Sequence, residues 1–99
     1  MISGSQCRAG RALVEISRGK LARRSGVDEE IIERFEHKLH APQPQQVAAI
    51  EAALEELGAV FLQENGGGIG VRLKFTSADA KQIARLEGEG GIAGNDRVP

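Results

Sequence analysis

The sequence predicts a mainly α fold: four short helices, then a β-hairpin, then a short final helix. Three observations predict it. Apolar residues recur at three- and four-residue spacing as far as residue 57, cap-forming residues and glycines bracket each of those runs, and two β-rich runs then flank a glycine-rich stretch at 63–70. With 99 residues the chain can bury one core, as a single domain or a domain with an appendage. Only Phe35, Phe61 and Phe75 are aromatic, so the core must come from Leu, Ile, Val and Ala, which suits tightly packed short helices.

Ser3 followed by Gln6 is a capping-box pattern, and Cys7, Gly10, Leu13 and Val14 fall on one stripe of a first helix running to about residue 14. Ser17 offers the next N-cap, and Gly26 closes a second helix barely two turns long, because glycine takes a left-handed position past a helix end without steric cost. Asp28 caps a third helix, 29 to about 37, whose Ile31, Ile32 and Phe35 share a face. Residues 38–43 read as a loop. Pro44 suits the first turn of a fourth helix, 44–57, with an apolar stripe of Val47, Ile50, Ala53, Leu54 and Leu57 ended by Gly58. The runs 59–62 and 71–75 predict a hairpin. Thr76 or Ser77 caps a short last helix carrying Ala80, Ile83 and Leu86, and 88–99 has the composition of a flexible tail. The organisation expected is therefore 1–58 helical, 59–75 hairpin, 76–87 short helix and 88–99 tail.

Net charge is -1, but it is unevenly spread: residues 1–41 carry eight Lys/Arg against six Asp/Glu, 42–65 none against four, and 66–99 five against four. The basic excess is N-terminal. No apolar run approaches the ~20 residues of a membrane span, and no signal-peptide stretch opens the chain, so a cytoplasmic location with no membrane partner is expected. The single Cys7 rules out an internal disulfide framework and reads as a small core residue. His37 and His40 lack partner cysteines for a metal site. The stretch 66–70 lacks the Lys-Ser/Thr of a phosphate-binding loop and reads as a turn. Nothing has the context of a catalytic triad, so neither enzyme activity nor a cofactor is expected.

The informative segment is 18–36. Ala22 is small, as needed if the second helix crosses the first at close range. Gly26 supplies a turn, while Leu21, Val27, Ile32 and Phe35 supply the contacts that set the angle between helices two and three. Such an arrangement presents helix three as a rod on the surface, of a width that enters the DNA major groove.

Ser17-Arg18-Gly19-Lys20-Leu21-Ala22-Arg23-Arg24-Ser25-Gly26-Val27-Asp28, with Ile31-Ile32-Glu33-Arg34-Phe35-Glu36, resembles the helix-turn-helix of the XRE/Cro (lambda-repressor-like) transcriptional regulators. Arg8-Ala9-Gly10-Arg11-Ala12-Leu13 is similar to the first helix of alphaproteobacterial members, Ala49-Ile50-Glu51-Ala52-Ala53-Leu54-Glu55 to their fourth, and Asn65-Gly66-Gly67-Gly68-Ile69-Gly70-Val71-Arg72-Leu73 to the tail of small members. The resemblance covers about three quarters of the chain. It implies a lambda-repressor-like four-helix DNA-binding domain in a bacterial, nucleoid-associated regulator that reads a palindromic operator in double-stranded DNA.

By that resemblance Arg18 takes the position at the start of helix two that meets the DNA backbone. Lys20, Arg23, Arg34, Lys38 and His40 are candidate phosphate or base contacts nearby, with Arg34 the best candidate base reader because arginine pairs bidentately with guanine. The family places polar or basic residues at the start of the recognition helix, whereas this chain has Asp28, Glu29 and Glu30, with Glu33 a turn later. Three readings stay open: capping and dipole stabilisation worth about 0.3–1 kcal/mol each, acceptance of a hydrogen bond from cytosine N4, or weakened groove recognition.

Strand one is apolar on both faces, Val60 and Leu62 on one and Ala59 and Phe61 on the other. Isolated hairpins are marginal in water, so a homodimer through Val60, Phe61, Leu62, Val71, Leu73 and Phe75, assisted by helix four, is expected; the competing arrangement folds the hairpin back over its own helix four. The competing function is a protein-interaction module, such as an antitoxin-like partner, that keeps the fold with weakened DNA reading.

Overall fold

The structure, a computed structural model, describes residues 1–74. Phe75, the short helix expected at 76–87 and the tail at 88–99 lie outside the described residues. Four helices come first, α1 (Gly4–Val14), α2 (Arg18–Ser25), α3 (Glu29–Glu36) and α4 (Pro44–Glu56), followed by strands β1 (Ala59–Leu62) and β2 (Gly70–Leu73). The fold is mainly helical, with a short antiparallel two-stranded hairpin.

Each helix begins where the sequence supplies a partner for its free N–H groups. Ser3 Oγ accepts from Gln6 N–H at 3.1 Å and Gln6 Oε1 accepts from Ser3 N–H at 2.9 Å, completing the capping box of α1. Ser17 Oγ accepts from Lys20 N–H at 3.0 Å at the start of α2. Asp28 makes a longer cap on α3, accepting from Glu30 N–H at 3.5 Å. Pro44 opens α4, and Gln46 Oε1 accepts from the Gln43 N–H at 3.0 Å. Gly26 ends α2 at φ 77°, its N–H donating to Ala22 C=O at 2.8 Å, so the chain reverses within three residues.

The core draws on all four helices and β1: Ile2, Cys7, Leu21, Val27, Ile32, Phe35, Val47, Ile50, Ala53, Leu54 and Ala59 are buried, with Val71 of β2 packed against them. Two expectations about packing need correction. Leu13 is exposed at 38% rather than buried with the stripe, because it lies on the far edge of the face defined by Cys7, Gly10 and Val14. Nor is Ala22 small because α2 crosses α1: α2 packs mainly on α3 and α4, while the inner face of α1 is taken by the hairpin, α4 and α3. Ala22 instead lies half-buried against the core, on the groove where α2 meets the start of α3.

The hairpin lies against its own α1 and α4. Its register pairs Ala59 with Leu73, Val60 with Arg72, Phe61 with Val71 and Leu62 with Gly70. Side chains alternate across strands, so Ala59, Phe61, Val71 and Leu73 face one way and Val60, Leu62 and Arg72 the other. Ala59 is buried, and Phe61 and Val71 pack on the core. The Phe61 ring lies on Gly10, where a Cβ would stand 3.2 Å from its Cζ. Gln6 then ties the loop end of the pair, its Nε2 donating to Leu62 C=O at 3.2 Å and to Gly70 C=O at 2.8 Å. A two-stranded sheet too small to stand alone is thus held by a ring, two apolar side chains and a buried amide.

Gly4 marks the closest approach of two backbones, since a Cβ there would overlap the Phe35 carbonyl oxygen. Gly4→Ala is therefore expected to destabilise the fold by about 1–3 kcal/mol through overpacking, although alanine is the better helix former. Glu15, by contrast, ends α1 at φ 60° without being a glycine. Glu15→Gly should raise stability by up to about 1 kcal/mol, as relief of the left-handed strain outweighs the added chain entropy. Urea unfolding of the two variants should move the midpoints in opposite directions.

Candidate nucleic-acid interface

Residues 26–28 carry the chain from α2 to α3, and Val27, Ile32 and Phe35 anchor the turn and the helix from beneath. An eight-residue helix with three inward positions leaves the rest facing out: Glu29, Glu30, Glu33 and Arg34 are exposed, and Ile31 is half-buried. The exposed side of α3 is therefore not packed into the protein's interior. Beside it on α2, Lys20 and Arg23 are exposed and Arg18 is partly covered; beyond its C-terminal end, His37, Lys38 and His40 are exposed. Arg18, Lys20, Arg23, Asp28, Glu29, Glu30, Glu33, Arg34, Lys38 and His40 thus all belong to α2, α3 and their adjoining turns.

The two cations singled out from the sequence each have an acidic neighbour. Arg18 Nη1 lies 3.8 Å from Glu33 Oε2, across from α2 to α3, and Arg34 Nε lies 3.7 Å from Glu30 Oε2 one helical turn back. Exposed pairs of this kind contribute about 0.2–1 kcal/mol and exchange readily with solvent or another anion. Glu29 reaches back over the first turn of α2, where a Cβ on Gly19 would stand 3.5 Å from its Oε1. A carboxylate is favourable there because the first turn of a helix presents unpaired N–H groups and a partial positive charge.

The inner side of α3 carries a group that sequence reasoning missed. Glu36 is buried, with its side chain 1% exposed. Arg11 of α1 grips it with both ends of its fork, Nε to Oε2 at 2.6 Å and Nη2 to Oε1 at 2.8 Å, and spends Nη1 on the Ile16 carbonyl at 3.2 Å. Cys7 Sγ donates to Glu36 Oε2 at 3.2 Å. Those hydrogen bonds, and then the carboxylate's charge, raise the Arg11 pKa against the opposing effect of burial. Burial first, then Glu36, pushes the Cys7 thiol far above the ordinary thiol range, with Arg11 pulling back. The signal for this site was Glu36 itself: it lies four residues after Ile32, on the apolar stripe of α3, where a carboxylate needs a partner.

Among the residues expected to mediate dimerisation, Phe61 and Val71 pack on the protein's own core, and Leu73 shares their side of the hairpin. Val60 and Leu62 face away from it, and Leu62 is 42% exposed. Phe75 lies outside the described residues. Among the described residues, no group of three or more His, Cys, Asp and Glu side chains could hold a metal ion, and no helix is long and apolar enough to cross a membrane.

A scan against protein-family models matches nothing in this chain, and a search of curated proteins finds no match.

Removing one side of the buried pair strands the other. Arg11→Met should cost about 3 kcal/mol, whereas Arg11→Met combined with Glu36→Leu should recover much of the loss, because no unpaired charge is then buried. Thermal unfolding of the single and double variants checks this. Cys7 sets a pH dependence of definite sign. Its raised folded pKa keeps the thiol protonated while the unfolded thiol ionises above about pH 8.5, so stability is complete below that value and falls by about 1.4 kcal/mol per unit above it. Urea midpoints at pH 7, 9 and 10 should fall more steeply for the unmodified protein than for Cys7→Ala.

Proposed function

We propose that this chain is a sequence-specific DNA-binding regulator of the lambda-repressor-like XRE/Cro type, acting as a homodimer on a palindromic operator. The observation that supports it is α3, held from below by Ile32, Phe35 and Glu36 with its other side open to solvent and flanked by Arg18, Lys20, Arg23 and Lys38. A rigid, solvent-facing helix with cations on its borders is what docking in a major groove requires: flanking charges meet phosphate while the helix face meets base edges.

Roles follow from position. Arg18, Lys20, Arg23, Lys38 and His40 serve the backbone. Arg34 reads a guanine edge, and one of the α3 carboxylates accepts from cytosine N4 while the others stay clear of phosphate. The outward face of the hairpin, Val60 and Leu62, joins two copies, and a two-fold dimer places its recognition helices about one DNA turn, roughly 34 Å, apart.

The outer face of α3 also favours a second reading. Four carboxylates, Asp28, Glu29, Glu30 and Glu33, stand against Arg34, and such a face suits a basic protein partner better than phosphate. Selection from a random-sequence duplex pool with purified protein, at two salt concentrations, separates the readings. Enrichment of a palindrome, with weaker recovery at higher salt, supports the regulator. No enrichment at either concentration removes it and leaves the interaction module.

On an enriched site, Arg34→Ala should relax preference at one base pair by about 1–3 kcal/mol. Arg18→Ala should weaken all duplexes alike and flatten the salt dependence by about one unit. Fluorescence anisotropy across single-base variants of the site distinguishes the two effects.

A further inference from the structure

The carboxylates of α3 occupy positions that the proposed function reserves for DNA phosphate. Arg18 is the first residue of α2, and its guanidinium faces Glu33 at 3.8 Å. Glu29 hangs over the same first turn, above Gly19. The first turn of a helix, with an arginine beside it, attracts phosphate oxygens through its free N–H groups and positive end. In this protein two carboxylates one turn apart on the neighbouring helix already stand there, Glu33 beside Arg18 and Glu29 over Gly19. Arg34, on α3 itself, is likewise accompanied by Glu30 at 3.7 Å.

We propose that Glu29 and Glu33 act as an internal stand-in for phosphate at the start of α2, suppressing binding to non-specific duplex and so widening the gap between operator and random DNA. This rests on the DNA-binding reading above and deepens it. Non-specific binding is almost wholly phosphate neutralisation with counterion release, so an arginine already paired with a carboxylate adds little to it. A specific site can also give the released Glu33 a cytosine N4 donor in register, which random sequence does not, so the cost of parting Arg18 from Glu33 falls mainly on the non-specific complex. Weak attraction for the many competing random sites raises selectivity without any new contact to the operator. The pairs are solvent-exposed and weak enough to open, as a competitor that has to be displaced must be.

The test compares the unmodified protein with Glu33→Gln, Glu29→Gln and Glu55→Gln, the last removing an exposed charge on α4. Binding is measured by anisotropy on a random duplex and on the tightest selected duplex, across a salt series. Glu33→Gln should tighten binding to random duplex about three- to tenfold at low salt, steepen the salt slope by about 0.9 as one more cation meets phosphate, and narrow the ratio between the two duplexes. Glu29→Gln should act in the same direction, and Glu55→Gln should change little. The gain from Glu33→Gln should vanish in an Arg18→Ala background. A gain of equal size in that background, or from Glu55→Gln, overturns the proposal in favour of a net-charge effect. An unmodified protein that selects its site while Glu33→Gln gains nothing overturns it and leaves the DNA-binding reading standing. Failure of all the proteins to bind any duplex overturns both.

Discussion

The buried contact between Arg11 and Glu36 governs the geometry on which everything outward depends. A carboxylate withdrawn from water loses several kcal/mol of solvation, and it persists only where donors replace the lost water. Glu36 has three such donors, two from Arg11 and one from Cys7, all on α1. Because α1 supplies all three, the end of α3 can satisfy its charge at only one distance and rotation relative to α1. Apolar contacts tolerate sliding; a two-pronged guanidinium–carboxylate pair does not. At the opposite end of α1, Gly4 lets the backbone meet the Phe35 carbonyl. The two contacts together set how α3 leaves the core, and so which of its residues face solvent.

The hairpin depends on the same helix. Gln6 completes the cap of α1 with its carbonyl oxygen and bonds both strands with its amide nitrogen, so one side chain joins the start of the first helix to the far end of the sheet. Phe61 fits because Gly10 removes a side chain beneath its ring. α1 is therefore a spine with three attachments: α3 through Glu36, the hairpin through Gln6 and Gly10, and α4 through the shared core. That leaves α2 to pack on α3 and α4. The pair α2–α3 is thereby carried at the side of the molecule opposite no other described element that would cover its outer face.

Much of this was legible in the sequence where it depends on local chemistry. Ser3, Ser17, Asp28 and Pro44 mark helix starts, Gly26 marks a reversal, and the spacing of Leu21, Val27, Ile32 and Phe35 marks a buried seam; each signal acts within a few residues of its cause. What escaped depends on contacts between distant residues. Arg11 and Glu36 are 25 positions apart, and Gln6 and Gly70 are 64 apart. A capping glutamine shows one of its two tasks in the sequence, and Glu36 looks like any surface carboxylate until its place on the apolar stripe is weighed. Likewise the two apolar faces of β1 pointed first to a second copy and only then to the protein's own helices. The presence of Gly10 at the spacing that admits Phe61 decides for one of those faces; Val60 and Leu62 keep the other.

The acidic outer face of α3 bears on how strongly any duplex could be held. Asp28, Glu29, Glu30 and Glu33 nearly balance Arg18, Lys20, Arg23, Arg34 and Lys38, so one copy offers little net attraction to a polyanion. In the proposed reading, affinity cannot then rest on charge alone. It has to come from contacts that form only when base edges and phosphates are both in register, and from two copies engaging one site so that the second contact follows the first at high effective concentration. In that reading a near-neutral α3 face and a dimer would be linked: the first would deny a single copy useful affinity for random DNA, and the second would supply affinity where two half-sites lie a helical turn apart. The hairpin's outward face, Val60 and Leu62, is where that coupling would be lost, and with it any advantage of a helix that carries more carboxylates than cations.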